Sequence, residues 1–251
     1  MTEIFSLLPP SEWGYVLIAS FIIGLGKAGL RGLDMLSVTM MAFVFGTKSS
    51  TGVVLPLLCL ADIAAVKYYN RHANWSHFWK LIPWMAVGVL IGVFVGKDLN
   101  EIIFRKFMAI IVLLTIIIVL IMEFRKSEEV PSNKLFSVTT GLSAGFTTMI
   151  GNLAGAFSNL YFLAMRVGKN SFIGTAAWIF LVINLFKLPF QIFYWKNITA
   201  DTLKIDALLI PTLLLGFGLG VMIVSRIKDH HYRRLIIVLT IIGSVFMLLK
   251  Q

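Results

Sequence analysis

The chain carries one polytopic pattern twice. Gly46, Ser49, Gly52 and Asp62 recur as Gly168, Ser171, Gly174 and Asn184, each 122 residues later. Pro83, Gly88, Gly92 and the run Phe104, Arg105, Lys106 recur as Pro211, Gly216, Gly220 and Tyr232, Arg233, Arg234, each 128 later. The slip of six residues falls in a polar loop, where insertions are tolerated. Each copy opens with an apolar segment that is interrupted rather than continuous. Duplicated apolar segments restrict such a chain to a helical membrane fold, and broken segments in matching positions point to a site between the halves.

Composition fits that restriction, with 58% apolar and only 14% charged residues, too apolar for a soluble domain. A membrane-crossing helix needs about 20 apolar residues, with some latitude. Gly52 to Tyr69, Leu81 to Gly96, Phe107 to Met122, Gly174 to Trp195, Ala207 to Val224 and Leu235 to Leu249 reach or approach that length. Each half therefore holds two shorter apolar elements folded into a hairpin, followed by three crossings. A hairpin returns the chain to its starting side and three crossings do not, so the second half enters from the opposite face. The expected fold is an all-α membrane protein of two inverted repeats, each a broken-helix hairpin plus three transmembrane helices. Residues 1–126 form the first repeat, 127–134 a charged, proline-containing linker and 135–251 the second.

Basic residues set the expected orientation. Lys67, Arg71, Lys80, Arg125, Lys126, Lys134, Arg166, Lys169, Arg226, Lys228, Arg233 and Arg234 fall on the linker side. Only Lys48, Lys97, Arg105, Lys106, Lys196, Lys204 and Lys250 fall on the other. The linker is thus expected in the cytoplasm and both termini outside, in a cell membrane such as a bacterial inner membrane. Glu3 and Glu12 replace the basic start of a cleavable signal, so none is expected. Because the basic residues sit at span ends, the net charge of +10 reflects topology rather than a nucleic-acid partner. The single cysteine, Cys59, has no intramolecular disulfide partner.

Polar groups at bilayer depth are costly and need a reason. Lys27 and Arg31 flank Gly29 in a turn running from Gly24 to Gly32. If that turn is buried, its free backbone N–H groups and helix ends add to the two cations to attract an anion. If the hairpin crosses fully, they mark a surface loop. The matching turn holds Thr147, Thr148, Asn152, Ser158 and Asn159, hydroxyls and amides able to replace an oxyanion's water shell or to pack helices. Lys27, Arg31, Gly29, Thr148, Asn152, Ser158 and Asn159 are the candidate substrate-binding set. Asp62 is the one acidic residue of the first long span, and Asn184, Lys187 and Gln191 share one face of its repeat partner. These four are candidates for coupling or gating: Asp62 carries a coupling proton, or it pairs with a cation such as Lys187. His72, His77, His230 and His231 lack metal-ligand spacing. Neither a nucleophile elbow nor a phosphate-cradling loop is present, so no metal, cofactor or enzymatic activity is expected.

At these turns and the spans after them the chain resembles the TauE/SafE sulfite exporter family. The run from Gly24 to Gly32 looks like that family's glycine-rich N-terminal signature. Gly52 to Leu58, Asp62 and Tyr69 to Trp75 are similar to the segment after it. Gly145 to Asn152, Gly174 to Trp178 and Asn184 to Pro189 resemble the second signature. The family often has proline after the second-half glycine, whereas Ala156 follows Gly155 here, which predicts a less sharply broken half-helix. The resemblance implies export or uptake of sulfur-containing anions such as sulfite, sulfonates or thiosulfate. The residues themselves support a secondary transporter of small anions in a lipid bilayer, with a proton gradient as one means of coupling. A passive anion channel and a non-transporting scaffold stay open beside it, and oligomeric state is not legible.

Overall fold

The computed structural model describes residues 7–100, residues 134–249 and scattered positions between 102 and 117. Arg105, most of the span expected from Phe107 to Met122, and linker residues 127–133 lie outside the described residues. All regular elements among the described residues are helical. Helices α1 (Pro10–Lys27) and α2 (Asp34–Phe45) form the first hairpin, followed by α3 (Thr47–Tyr69) and α4 (Trp75–Lys97). Helices α5 (Lys134–Gly151) and α6 (Ala154–Ala164) form the second hairpin. Then come α7 (Lys169–Pro189), which runs into a π turn at Phe190–Tyr194, α8 (Ala200–Ser225) and α9 (Asp229–Leu249).

Four of these helical stretches, Thr47–His72, Trp75–Lys97, Lys169–Tyr194 and Ala200–Ser225, are long and apolar enough to cross a membrane. At about 1.5 Å per residue each exceeds a hydrocarbon core of about 30 Å. Their ends are fixed by local chemistry. The Asn74 side chain accepts from the N–H groups of Ser76 and His77 at the start of α4. Thr199 and Thr202 form a reciprocal capping box on α8, which satisfies donors a helix start otherwise leaves orphaned. The outer faces are lipid-like: Phe94 on α4 and Leu215 on α8 are 66% and 64% exposed, while Asp62 and Lys187 are fully buried.

Both hairpins are broken within the protein. In the first, the turn includes Gly32 at φ +102, where a Cβ would also lie 2.6 Å from the Thr240 backbone nitrogen of α9. In the second, the break is complete, contrary to the weaker break expected from Ala156. Asn152 adopts φ +55 and, with Leu153, separates α5 from α6, upstream of Gly155. Asparagine tolerates the left-handed region better than most residues, and here its amide donates to the Thr51 carbonyl at 3.0 Å. The helix ends without needing proline.

The halves interlock. Hairpin helix α1 packs on α8 of the second half, and hairpin helix α5 packs on α4 of the first. The glycines repeated at 128 residues make both crossings. A Cβ at Gly88 would lie 2.2 Å from the Leu142 carbonyl oxygen, and one at Gly216 would lie 2.1 Å from that of Phe21. Along each crossing the contacts advance in the same chain direction, Gly24 meeting Leu213 and Leu25 meeting Gly220, so the paired helices are parallel. Helices α3 and α7 run antiparallel: Gly52 near the start of α3 meets Asn197, and Gly174 near the start of α7 meets the Tyr69–Ala73 segment. Alanine at Gly216 is therefore expected to force α1 and α8 apart, at a cost of about 1–3 kcal/mol or more. Gly218, two residues on, has nothing within 4 Å of its notional Cβ, and its alanine variant should keep or raise stability. Thermal unfolding of Gly216→Ala and Gly218→Ala in detergent checks the contrast.

Candidate functional site

The middle of α3 meets the middle of α7, and the contact is between repeat partners. Asn184 Nδ2 donates to Asp62 Oδ2 at 2.7 Å. Lys27, the last residue of α1, donates to Asp62 Oδ1 at 2.7 Å. On the other side of Asn184, Lys187 Nζ reaches Asn184 Oδ1 at 3.3 Å, Thr148 Oγ1 at 3.1 Å and Asn152 Oδ1 at 2.6 Å. One polar chain thus runs from the first hairpin break to the second through two membrane-crossing helices. The ion pair considered for Asp62 is present, but its cation is Lys27 and not Lys187. The helix geometry explains the difference: Lys187 sits one turn from Asn184, on the side facing the second hairpin.

Charge along this chain is uneven. Asp62 neutralises Lys27, and an excess of positive charge remains. The three acceptors around Lys187 are all neutral oxygens and match the three donors of an ammonium group. Arg31 is 0% exposed, and none of its three guanidinium nitrogens has a hydrogen-bond partner among the described residues. Phe180 of α7 lies between the halves with Lys27 Nζ 4.8 Å and Arg31 Cζ 4.8 Å from its ring centroid, within cation–π range. Two tyrosines hold the first turn in place: Tyr69 donates to the Ala28 carbonyl at 2.8 Å and Tyr232 to that of Gly29 at 2.7 Å.

A cavity of about 20 Å³ lies beside the polar chain, lined by Lys27, Asp34, Thr148, Asn152, Phe180 and Asn184 among others. That volume holds roughly one water molecule. The buried alternative for Lys27 and Arg31 is therefore the one observed, and Thr148, Asn152, Asn184 and Lys187 gather at the same place. Three expected residues do not. The Gly29 carbonyl is taken by Tyr232, and the Ser158 hydroxyl donates to Ala154 in its own helix. Gln191 lies in the π turn, where it donates to Thr51 Oγ1 at 3.2 Å and accepts from Asn197. Asn159 is buried, and neither amide atom has a partner among the described residues. Asp34 and Phe180 line the cavity without having been singled out. Neither carried a distinctive signal: a carboxylate that opens a helix is ordinary, and Phe180 is one of 20 phenylalanines.

A polytopic helical membrane protein with a buried, net-positive site between two broken hairpins has the architecture of a membrane transporter. Residues 16–247 match the family model "Sulfite exporter TauE/SafE", and the chain belongs to this family of membrane transporters. No curated protein and no solved structure matches the chain.

The Lys27–Asp62 pair is expected to behave as a unit. Removing either partner leaves an uncompensated buried charge, costing about 3–5 kcal/mol. Lys27→Met and Asp62→Leu should each lower the denaturation midpoint in detergent sharply, and the double variant should recover much of the loss. A double-mutant cycle with strictly additive losses would show that the two side chains are not coupled.

Proposed function

We propose that the chain is a secondary carrier of small anions, with sulfur oxyanions and sulfonates such as sulfite, thiosulfate or sulfoacetate as its substrate class. The observation that carries this reading is the buried excess of cation at the hairpin breaks. Among the described residues Arg31 has no acceptor and Lys187 has only neutral ones. Leaving charge unpaired out of water costs several kcal/mol, and a dehydrated anion between the hairpins removes that cost. Lys27, Arg31, Lys187, Thr148, Asn152 and Asn159 form its shell. The small volume of the cavity supports a carrier over a standing pore, since the hairpins must separate to admit a sulfur oxyanion. Of the two roles open to Asp62, its bonds to Lys27 and Asn184 support the ion pair.

The parallel crossings of α1 with α8 and α5 with α4, and the antiparallel pair α3 and α7, support an inverted relation between repeats 1–126 and 135–251. On that relation and the basic-residue bias, the linker faces the cytoplasm and both termini face out of the cell. Reporter fusions at Ser132 and Gln251 should then give opposite signals, and cytoplasmic signals from both would remove the inverted arrangement.

Transport is tested by flux into proteoliposomes of sulfite, sulfoacetate, thiosulfate, sulfate and carboxylates, with and without a pH gradient. A charge-assisted hydrogen bond contributes about 1.5–3 kcal/mol, roughly ten- to a hundredfold in affinity. Arg31→Gln and Lys187→Gln should each weaken anion binding by that factor while the protein remains folded. Unchanged affinity in both variants would move the site elsewhere.

A further inference from the structure

A second cavity lies where the connection from α6 to α7 meets the connection from α8 to α9. Its volume is about 370 Å³, against about 20 Å³ beside the central polar chain, which brings it into the range of small-ligand pockets. Phe136, in the first turn of α5, stacks on Tyr161 near the end of α6 with ring centroids 6.0 Å apart. The cavity is therefore at the end of the molecule where α5 begins. Three cations line it, Arg166, Lys169 and Arg233, beside one carboxylate, Asp229, and the imidazole of His230. With His230 neutral, three cations less one carboxylate leave a net positive lining, and Asp229 enters no ion pair among the described residues. Arg166 sits at φ +50 in the reversal between α6 and α7, a left-handed position that costs an arginine more than a glycine. Lys169, the first residue of α7, donates to the Ile227 and Val224 carbonyls around the end of α8, at 2.6 and 3.4 Å. Arg233 Nη1 donates to the Leu163 carbonyl of α6 at 3.1 Å. Helix α7 opens here on Gly168 without a side-chain cap, so the N–H groups of its first turn add to the positive potential.

The inner wall of this cavity is aromatic. Phe172 has its ring centroid 4.8 Å from that of Phe162 and 5.9 Å from that of Tyr232. The Tyr232 hydroxyl donates to the Gly29 carbonyl at 2.7 Å, between Lys27 and Arg31 in the chain. One layer of rings thus separates the basic cavity from the turn that carries the central cations. Membrane orientation asks only for basic residues at span ends; it does not ask that three of them line one cavity. We infer that this cavity is a second anion-binding station, where a sulfur oxyanion or sulfonate is held by Arg166, Lys169 and Arg233 before it reaches Lys27 and Arg31 or after it leaves them. The station rests on the anion-carrier reading above and deepens it by adding a stop on the route. Positive potential in a concave lining raises the local concentration of anions and the rate at which they arrive. Its volume accommodates an anion that keeps part of its water, whereas the central cavity has no room for that water.

The test places a thiol in the cavity. Gly168 lines it, and a Cβ there would meet only Asp229 Oδ2, at 3.7 Å, so Gly168→Cys fits the fold. Cys59, the one native cysteine, is buried, and the unaltered protein supplies its labelling background. In phosphatidylcholine nanodiscs the anionic reagent sulfonatoethyl methanethiosulfonate should label this thiol about tenfold faster than the cationic trimethylammonioethyl reagent, once each rate is divided by that on free cysteine. High salt should erase most of the excess, and sulfoacetate should slow labelling more than chloride at the same ionic strength. Arg166→Gln and Arg233→Gln together should remove the excess and raise the sulfoacetate concentration needed for half-maximal flux from this side. Equal normalised rates for the two reagents overturn the inference, and so does an excess that sulfoacetate fails to protect. Both outcomes are read on the Gly168→Cys protein alone, so neither depends on the arginine variants folding. Protection by phosphatidylglycerol in place of sulfoacetate assigns the cavity to a lipid headgroup and also overturns it. A labelling excess with sulfoacetate protection, but without sulfoacetate flux, would instead strike the carrier reading and leave the binding site standing.

Discussion

The structure hangs on the pair of bonds made by one carboxylate. Asp62 takes the ammonium of Lys27 on one oxygen and the amide of Asn184 on the other. A charge at bilayer depth persists only when paired and hydrogen-bonded. Meeting that condition draws together the end of a hairpin helix, a crossing helix of the first half and a crossing helix of the second. Lys187 then continues the chain to Thr148 and Asn152 at the second break. The apolar packing around this line has less to decide. Lipid tails and apolar side chains are alike in polarity, so close glycine crossings such as Gly216 on Phe21 set helix distance while the polar chain sets which residues face one another.

Much of the fold could be read from spacing alone. Residues matching at 122 and 128 turn out to be contact points: Gly88 and Gly216 make the two parallel crossings, and Asp62 touches its own partner Asn184. A repeat pattern exposes such residues because the same packing problem is solved twice. Less visible was how the polar residues choose partners. Lys187 and Asn184 are three residues apart on one helix, and Lys27 and Asp62 are far apart in sequence, so spacing places Lys187 near Asp62 but says nothing of Lys27. Asp34 escaped because a carboxylate at a helix start looks like ordinary favourable helix chemistry. Only the facing glycines, Gly26 and Gly155, show that its oxygens project into the interface. The break at Asn152 was hidden for a related reason: a left-handed residue other than glycine is invisible to composition.

The two breaks are held differently, and this bears on which is free to move. The first turn is tied to the body by the hydroxyls of Tyr69 and Tyr232 on consecutive carbonyls, and by the seating of Gly32 against α9. The second is tied through side chains, with Asn152 bridging Lys187 and the Thr51 carbonyl. Backbone carbonyls accept from either tyrosine whatever occupies the cavity. The Asn152 amide oxygen, by contrast, competes with any anion for the same ammonium. Occupancy of the site and the conformation of the second break therefore draw on one donor, Lys187.

Contact between Asp62 and Asn184 also says something about how two such halves became one chain. On the proposed inverted relation, residues that meet their own repeat partners lie where an internal twofold axis would pass, and in a symmetric assembly of two identical subunits the same residue would meet itself there. Asparagine satisfies itself across such an axis, its carbonyl accepting what its amino group donates. Two ionised aspartates would repel, and two lysines at the Lys27 position would have nothing to neutralise. An Asp–Asn contact is open only to a molecule whose two sides can differ. On the proposed inverted relation, the buried ion pair that organises this protein depends on two matched halves that differ in sequence at the positions where they meet.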